Sequence, residues 1–211
     1  MRRILYTMTL LLMGAMMMTA RTPIRQWFVE MPDSVMPLLT KNNRLDFIDF
    51  IDCNMEAVVT NLLDGKSCMK RLTDDYLHVE YTKVSDVEMK LLPVTDTTDV
   101  LCMVTTMKAA VNDSRVAFFG EGWVPLLVAT HMKEPQLLDF RSSVQSDSAH
   151  WAWKKMDVFF RTYALSADEA TLTCRLTTLE YLNRADREAV EPYVAFSEMV
   201  YSWKDGSFVR R

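Results

Sequence analysis

From residue 57 onward the apolar side chains recur mainly at every second position, and this period restricts most of the chain to β-sheet. Residues 76–82 show it most clearly. Leu77, Val79 and Tyr81 share one face, while Tyr76, His78, Glu80 and Thr82 share the other. Residues 87–94, 100–107 and 115–119 read as further strands, followed after a break by 153–164, 170–179, 196–204 and 207–210. Asp64-Gly65 and Asp205-Gly206 are turn dipeptides flanked by apolar runs, the sequence mark of a hairpin. The links are short. A parallel crossover needs about a dozen residues or more, so neighbouring strands are expected to run antiparallel.

Before residue 57 the period is helical. Pro23 stands where a helix begins, and Ile24, Trp27, Phe28 and Met31 follow at helical spacing up to Pro32. A longer helix is predicted over residues 43–56, capped by Asn42 or Asn43. Its apolar face carries Leu45, Ile48, Ile51 and Met55, widened by Phe47 and Phe50, against a polar face of Asp46, Asp49, Cys53 and Glu56. A short helix is expected at residues 184–189. Residues 120–150 are irregular and punctuated by Gly120, Gly122, Pro125 and Pro135, which makes them a candidate sub-boundary. The predicted fold is α+β, with N-terminal helices packed on mostly antiparallel sheet. It forms a single domain over residues 21–211, in which meanders before 120 and after 150 suggest two similar halves.

Residues 1–20 carry a different message. Arg2 and Arg3 precede an uncharged, mostly apolar run over residues 4–18, and Thr19-Ala20 offers small residues at a cleavage point. That order defines a secretory signal peptide. The run is about 15 residues long, short of the roughly 20 that a spanning helix needs. No cysteine stands near the cleavage point to carry a lipid, the first being Cys53. The expectation is a cleaved signal peptide and a periplasmic or secreted protein, with no transmembrane segment after cleavage.

The net charge of −4 is spread over interspersed residues of both signs, with no basic stripe. Nucleic acid is therefore not the expected partner. Cys53, Cys68, Cys102 and Cys174 allow three full pairings, and an exported protein is free to form them. Yet Cys174 alternates with Leu172 and Leu176 on an apolar strand face, and Cys102 sits within the apolar run 100–104. Buried free thiols, acting as small hydrophobes, are the favoured reading.

No catalytic, cofactor-binding or metal-binding residue is assigned from the sequence. It has no Gly-rich phosphate loop, no G-x-S-x-G elbow and no H-E-x-x-H. His78 lies two residues from Glu80, which an ordinary half-exposed sheet position explains; His131 and His150 stand alone. Asp46, Asp49 and Asp52 recur every three residues, the pattern of a solvated helix face rather than a calcium loop. Asp74-Asp75 and Asp168-Glu169 read as solvated turns. Trp151 and Trp153 form the candidate ligand-stacking pair. If residues 151–153 are extended, both indoles point the same way and offer a platform to a sugar ring or an aromatic side chain.

Met31-Pro32-Asp33-Ser34, Pro37-Leu38-Leu39-Thr40 and Asn43-Arg44-Leu45-Asp46 resemble a Bacteroidales family of exported proteins of unknown function, the DUF3256-like proteins. The resemblance continues through Leu63-Asp64-Gly65-Lys66-Ser67, Leu72-Thr73-Asp74-Asp75-Tyr76 and Met89-Lys90-Leu91-Leu92-Pro93-Val94. It implies export and lineage, and carries over no site residue and no cofactor. The lineage also implies candidate O-glycosylation of Asp-Ser and Asp-Thr motifs, here at Ser34, Thr97 and Ser148. The expected function is that of a non-enzymatic envelope module binding a protein or glycan partner. The alternative is a carboxylate-dependent hydrolase of glycan or cell-wall material, marked by two facing carboxyl groups about 5–9.5 Å apart in a cleft. A structural role through an exposed sheet edge is a third reading. The sequence leaves the oligomeric state open.

Overall fold

The structure, a computed structural model, describes residues 21–211. The expected signal peptide lies outside them. Two helices, α1 (Ile24–Glu30) and α2 (Lys41–Asp52), come first. A meander follows: β1 (Val58–Thr60), β2 (Lys66–Leu72), β3 (Tyr76–Thr82), β4 (Ser85–Pro93), β5 (Asp99–Met107), β6 (Asp113–Gly120) and β7 (Val124–Leu126). The connection holds α3 (Val128–His131) and α4 (Asp147–Trp153). A second meander then runs through β8 (Arg161–Leu165), β9 (Thr171–Leu176), β10 (Glu198–Lys204) and β11 (Ser207–Arg210), with α5 (Thr178–Tyr181) and α6 (Arg184–Val190) between β9 and β10. The strands form a seven-stranded sheet and a four-stranded sheet, each in sequential order and antiparallel throughout. The α+β expectation holds, and the two meanders contain seven and four strands.

The layers follow from alternation along the long central strands. On β3 to β5, Leu77, Val79, Val87, Met89, Leu91, Leu101 and Met103 pack under α1 and α2 with Ile24, Phe28, Met36 and Phe47. The intervening positions Tyr76, Leu92, Val100, Cys102 and Val104 face the four-stranded sheet, meeting Tyr163, Leu165, Leu172, Cys174 and Tyr201. The helices, the large sheet and the small sheet thus make three layers around two cores. Polar ties fasten the inner pair of layers: Glu88 accepts from Tyr76 Oη at 2.8 Å and from Leu165 N at 3.0 Å.

The turn dipeptides behave as expected. Asp205 and Gly206 both adopt positive φ and close the β10–β11 hairpin. Asp64 has positive φ in the β1–β2 turn.

The long N-terminal helix differs from its expected bounds and face. It begins at Lys41, with Thr40 as cap and Asn43 completing a reciprocal capping box. Its buried positions are Arg44, Phe47 and Ile48, whereas Leu45 and Met55 are exposed. The reason is Arg44. Its guanidinium lies inside, bonded to Asp33 and to the carbonyls of Met31 and Leu39, and so joins Phe47 and Ile48 of the expected face in the buried stripe, while Met55 lies beyond the helix end.

The expected strand over residues 153–164 is also corrected. Residues 147–153 are helical, because Ser146 accepts a hydrogen bond from Ala149 N and caps α4. The strand itself is only β8. All four cysteines are free: Cys102 and Cys174 are buried, Cys68 is half-buried and Cys53 is exposed. Burial pushes the Cys174 thiol up to about 12, which keeps it protonated and inert.

Candidate functional site

Antiparallel order brings the start of β3, the end of β4 and the start of β5 to one end of the large sheet, with register partners Tyr76↔Lys90 and Pro93↔Asp99. The segment ahead of α1 crosses that end, tied by Ile24 N donating to Asp74 O at 3.0 Å. The small sheet reaches it too, since Lys90 Nζ donates to Ala167 O at 2.9 Å and Trp203 Nε1 to Pro93 O at 2.6 Å. Where the three layers meet lies a groove of about 660 Å³. Its apolar wall is Pro23, Leu91, Pro93 and Ala170, and its polar groups are Arg21, Asp74, Asp75 and Asp99. A concave, largely apolar site with a few converging polar groups is the usual form of a small-ligand site, typically about 300–1,000 Å³.

The carboxylates are held in different ways. Asp75 pairs with the buried Lys90 at 2.9 Å and accepts from Thr73 Oγ1 at 3.1 Å. Asp99 is the more enclosed, its side chain 8 % exposed, and it faces Arg21 Nη1 at 3.4 Å. Burial lifts its carboxyl above the usual carboxylate range; Arg21 opposes that shift and Asp75 adds to it. Asp74 is exposed at the rim. The groove therefore presents three acidic side chains against one guanidinium.

The solvated-turn expectation for Asp74-Asp75 holds for the exposed Asp74 but not for Asp75, which is half-buried and paired with Lys90, and no motif marks Asp99. The usable signal was topological. In a meander with these hairpins, Asp75 and Asp99 both fall at strand starts on the same sheet end.

The Trp151/Trp153 pair does not form the expected platform. On α4 the two positions lie on different faces. Trp153 is 8 % exposed and packs beside Arg141, while Trp151 is 64 % exposed under Lys154 Nζ at 4.4 Å from its ring centre. Ser34, Thr97 and Ser148 are all exposed, in the α1–α2 connection, the β4–β5 loop and the first turn of α4. His78 faces Asp86 at 3.9 Å, and Glu80 pairs with Lys70 at 3.4 Å. Asp46, Asp49 and Asp52 are exposed, with Asp52 paired to Arg25. No group of three metal-ligating side chains occurs among the described residues. His131, which the sequence left isolated, is stacked near Phe118 and Trp203 and bonds Gly206 O through Nδ1 at 2.8 Å. Among the described residues, no helix is long and apolar enough to cross a membrane.

The family model described as "Protein of unknown function (DUF3256)" matches residues 15–208. A solved structure titled as a domain of an uncharacterized protein from Porphyromonas gingivalis W83 is similar at 26% sequence identity and a TM-score of 0.79. The match covers 89% of this chain and 98% of that one. No curated protein matches.

Proposed function

The chain belongs to the DUF3256 family of proteins of unknown function, and from that premise we propose an exported envelope module that binds a partner in the groove where its three layers meet. The groove itself carries the reading: its size and mixed lining suit a ligand, and its two inner carboxylates are each set against a cation. Carboxylates fixed in this way present oriented charge to a bound group. The order of residues 1–20 supports export to the periplasm or beyond. Photo-crosslinking in native cells tests the reading. A crosslinker at Ala170 in the groove is expected to give a discrete adduct, weakened by Asp99→Asn and missing from a control at the exposed Arg184. Equal labelling from both positions would overturn it.

Hydrolysis of glycan or cell-wall material is the second reading, favoured by the raised Asp99 carboxyl beside Asp75 in one groove. Release of soluble fragments from purified cell wall by the unaltered chain, lost in Asp99→Asn, would move the function to this reading. The exposure of Ser34, Thr97 and Ser148 suits O-glycosylation. The intact mass of the native protein is expected to exceed that of the bare processed chain by whole glycans, and a mass equal to the bare chain ends that idea.

A further inference from the structure

We propose that the inner end of the groove is a receptor for the guanidinium of an arginine side chain on a basic peptide partner, and that Arg21 occupies it in its absence. The inference rests on the groove being the binding site. Three acceptors converge there: Thr95 O at 2.9 Å from Arg21 Nη2, Asp96 O at 3.3 Å from Arg21 Nε, and the Asp99 carboxylate. Carbonyls and a carboxylate arranged around a planar fork of N–H donors match a guanidinium better than a spherical ammonium.

The seat does not depend on its present occupant. The β4–β5 loop is braced internally by Val94 N to Thr98 O at 2.9 Å, and by Thr97 N and Thr98 N donating to Thr95 Oγ1. Its carbonyls are therefore set whether or not Arg21 is present. Nor does Arg21 fill the seat. The Asp99 side chain is more than nine-tenths buried, yet it accepts no hydrogen bond among the described residues. Its ionic contact with Arg21, at 3.4 Å, is longer than the roughly 2.7–2.9 Å of a charge-assisted hydrogen bond. A guanidinium free of the tether to α1 can approach Asp99 to charge-assisted hydrogen-bond length while keeping both carbonyls, and so gains over Arg21. Arg21 itself is half-exposed and belongs to a segment without regular structure. Its release leaves both cores untouched. The apolar wall of Pro23, Leu91, Pro93 and Ala170 then receives the aliphatic stem and the neighbouring peptide residues.

The probe is Nα-acetylarginine N-methylamide, followed by amide NMR shifts of residues 95–99 in the full chain. Arg21→Ala is expected to show saturable shifts, with apparent affinity at least about tenfold above the unaltered chain, because a tethered competitor acts at millimolar effective concentration. The double variant Arg21→Ala, Asp99→Asn is expected to lose the response, and the isosteric neutral citrulline probe to give none. A folded Arg21→Ala chain without saturable shifts, or with equal response to citrulline, overturns the proposal. If that happens while the Ala170 adduct persists in cells, the groove remains the binding site and only the guanidinium assignment falls. Saturable, citrulline-blind shifts support the assignment even where the cellular adduct is missing.

Discussion

Arg44→Ala is expected to destabilise the protein by about 2–4 kcal/mol, because it strands two buried carbonyls and opens a void, while Asp33 on the outer side is largely exposed. The guanidinium is 2 % exposed. Nη1 donates to Asp33 Oδ1 at 2.9 Å and to Leu39 O at 2.7 Å, and Nη2 donates to Met31 O at 2.6 Å. Met31 ends α1 and Leu39 immediately precedes the cap of α2. One side chain therefore serves the orphan carbonyls of one helix end and fixes the chain that enters the next. Truncation strands these acceptors among buried neighbours and opens a void beneath α2. Replacing a whole ion pair by hydrophobes can be neutral, but two of these partners are backbone and cannot be replaced. Arg44→Met, which restores much of the volume, is expected to recover only part of the loss. Arg44→Lys keeps the charge but lacks the fork, and is also expected to fall short. Urea unfolding measures this. A midpoint shift worth under about 1 kcal/mol for Arg44→Ala, at unchanged m, would show that the network is not what holds α1 to α2.

The same residue explains where the sequence reading of α2 went astray. Hydropathy assigns arginine to solvent and Leu45 and Met55 to the apolar face with Phe47 and Ile48; the last two are buried, but Arg44 is buried too and Leu45 and Met55 are exposed. What decides the face is where backbone acceptors outnumber donors, and that depends on the path of the α1–α2 connection, which no periodicity records. Strands were easier. Alternation along β3 depends only on local geometry, and Leu77, Val79 and Tyr81 do share the helix-facing side. The Asp-Gly turns were legible because αL backbone favours so few residues. Residues 151–153 show the opposite situation. Trp-Ala-Trp is compatible with either period, and the deciding atom is the Ser146 hydroxyl five residues earlier. The groove was hidden for a different reason. Asp75 and Asp99 are far apart in sequence, and neither carries a motif. Only the register of β3, β4 and β5 places them on one sheet end.

Phe118→Ala is expected to cost about 3–5 kcal/mol and to loosen one layer more than the other. Phe118 is 1 % exposed on the face of β6 that meets the small sheet. Its ring lies 5.1 Å from that of His131 on α3 and 6.3 Å from those of Trp203 and Phe208 on the β10–β11 hairpin. Phe119, the next residue, points through the sheet to the other core and sits 5.1 Å from Trp123, which in turn bonds Trp27 O in α1. The two adjacent phenylalanines therefore support different layers. Hydrogen exchange separates them. Phe118→Ala is expected to lower protection in β10 and β11 well beyond its effect on α2, and Phe119→Ala to act chiefly around α1 and Trp123, at a smaller total cost because Phe119 is only partly buried. Equal loss of protection in both layers from either variant would mean that the two cores unfold as one unit. The groove at their meeting point would then respond to damage in either core. If the layers respond separately, groove ligands that bridge the segment ahead of α1, β5 and the β8–β9 turn are expected to couple them, raising protection on both faces of the large sheet at once.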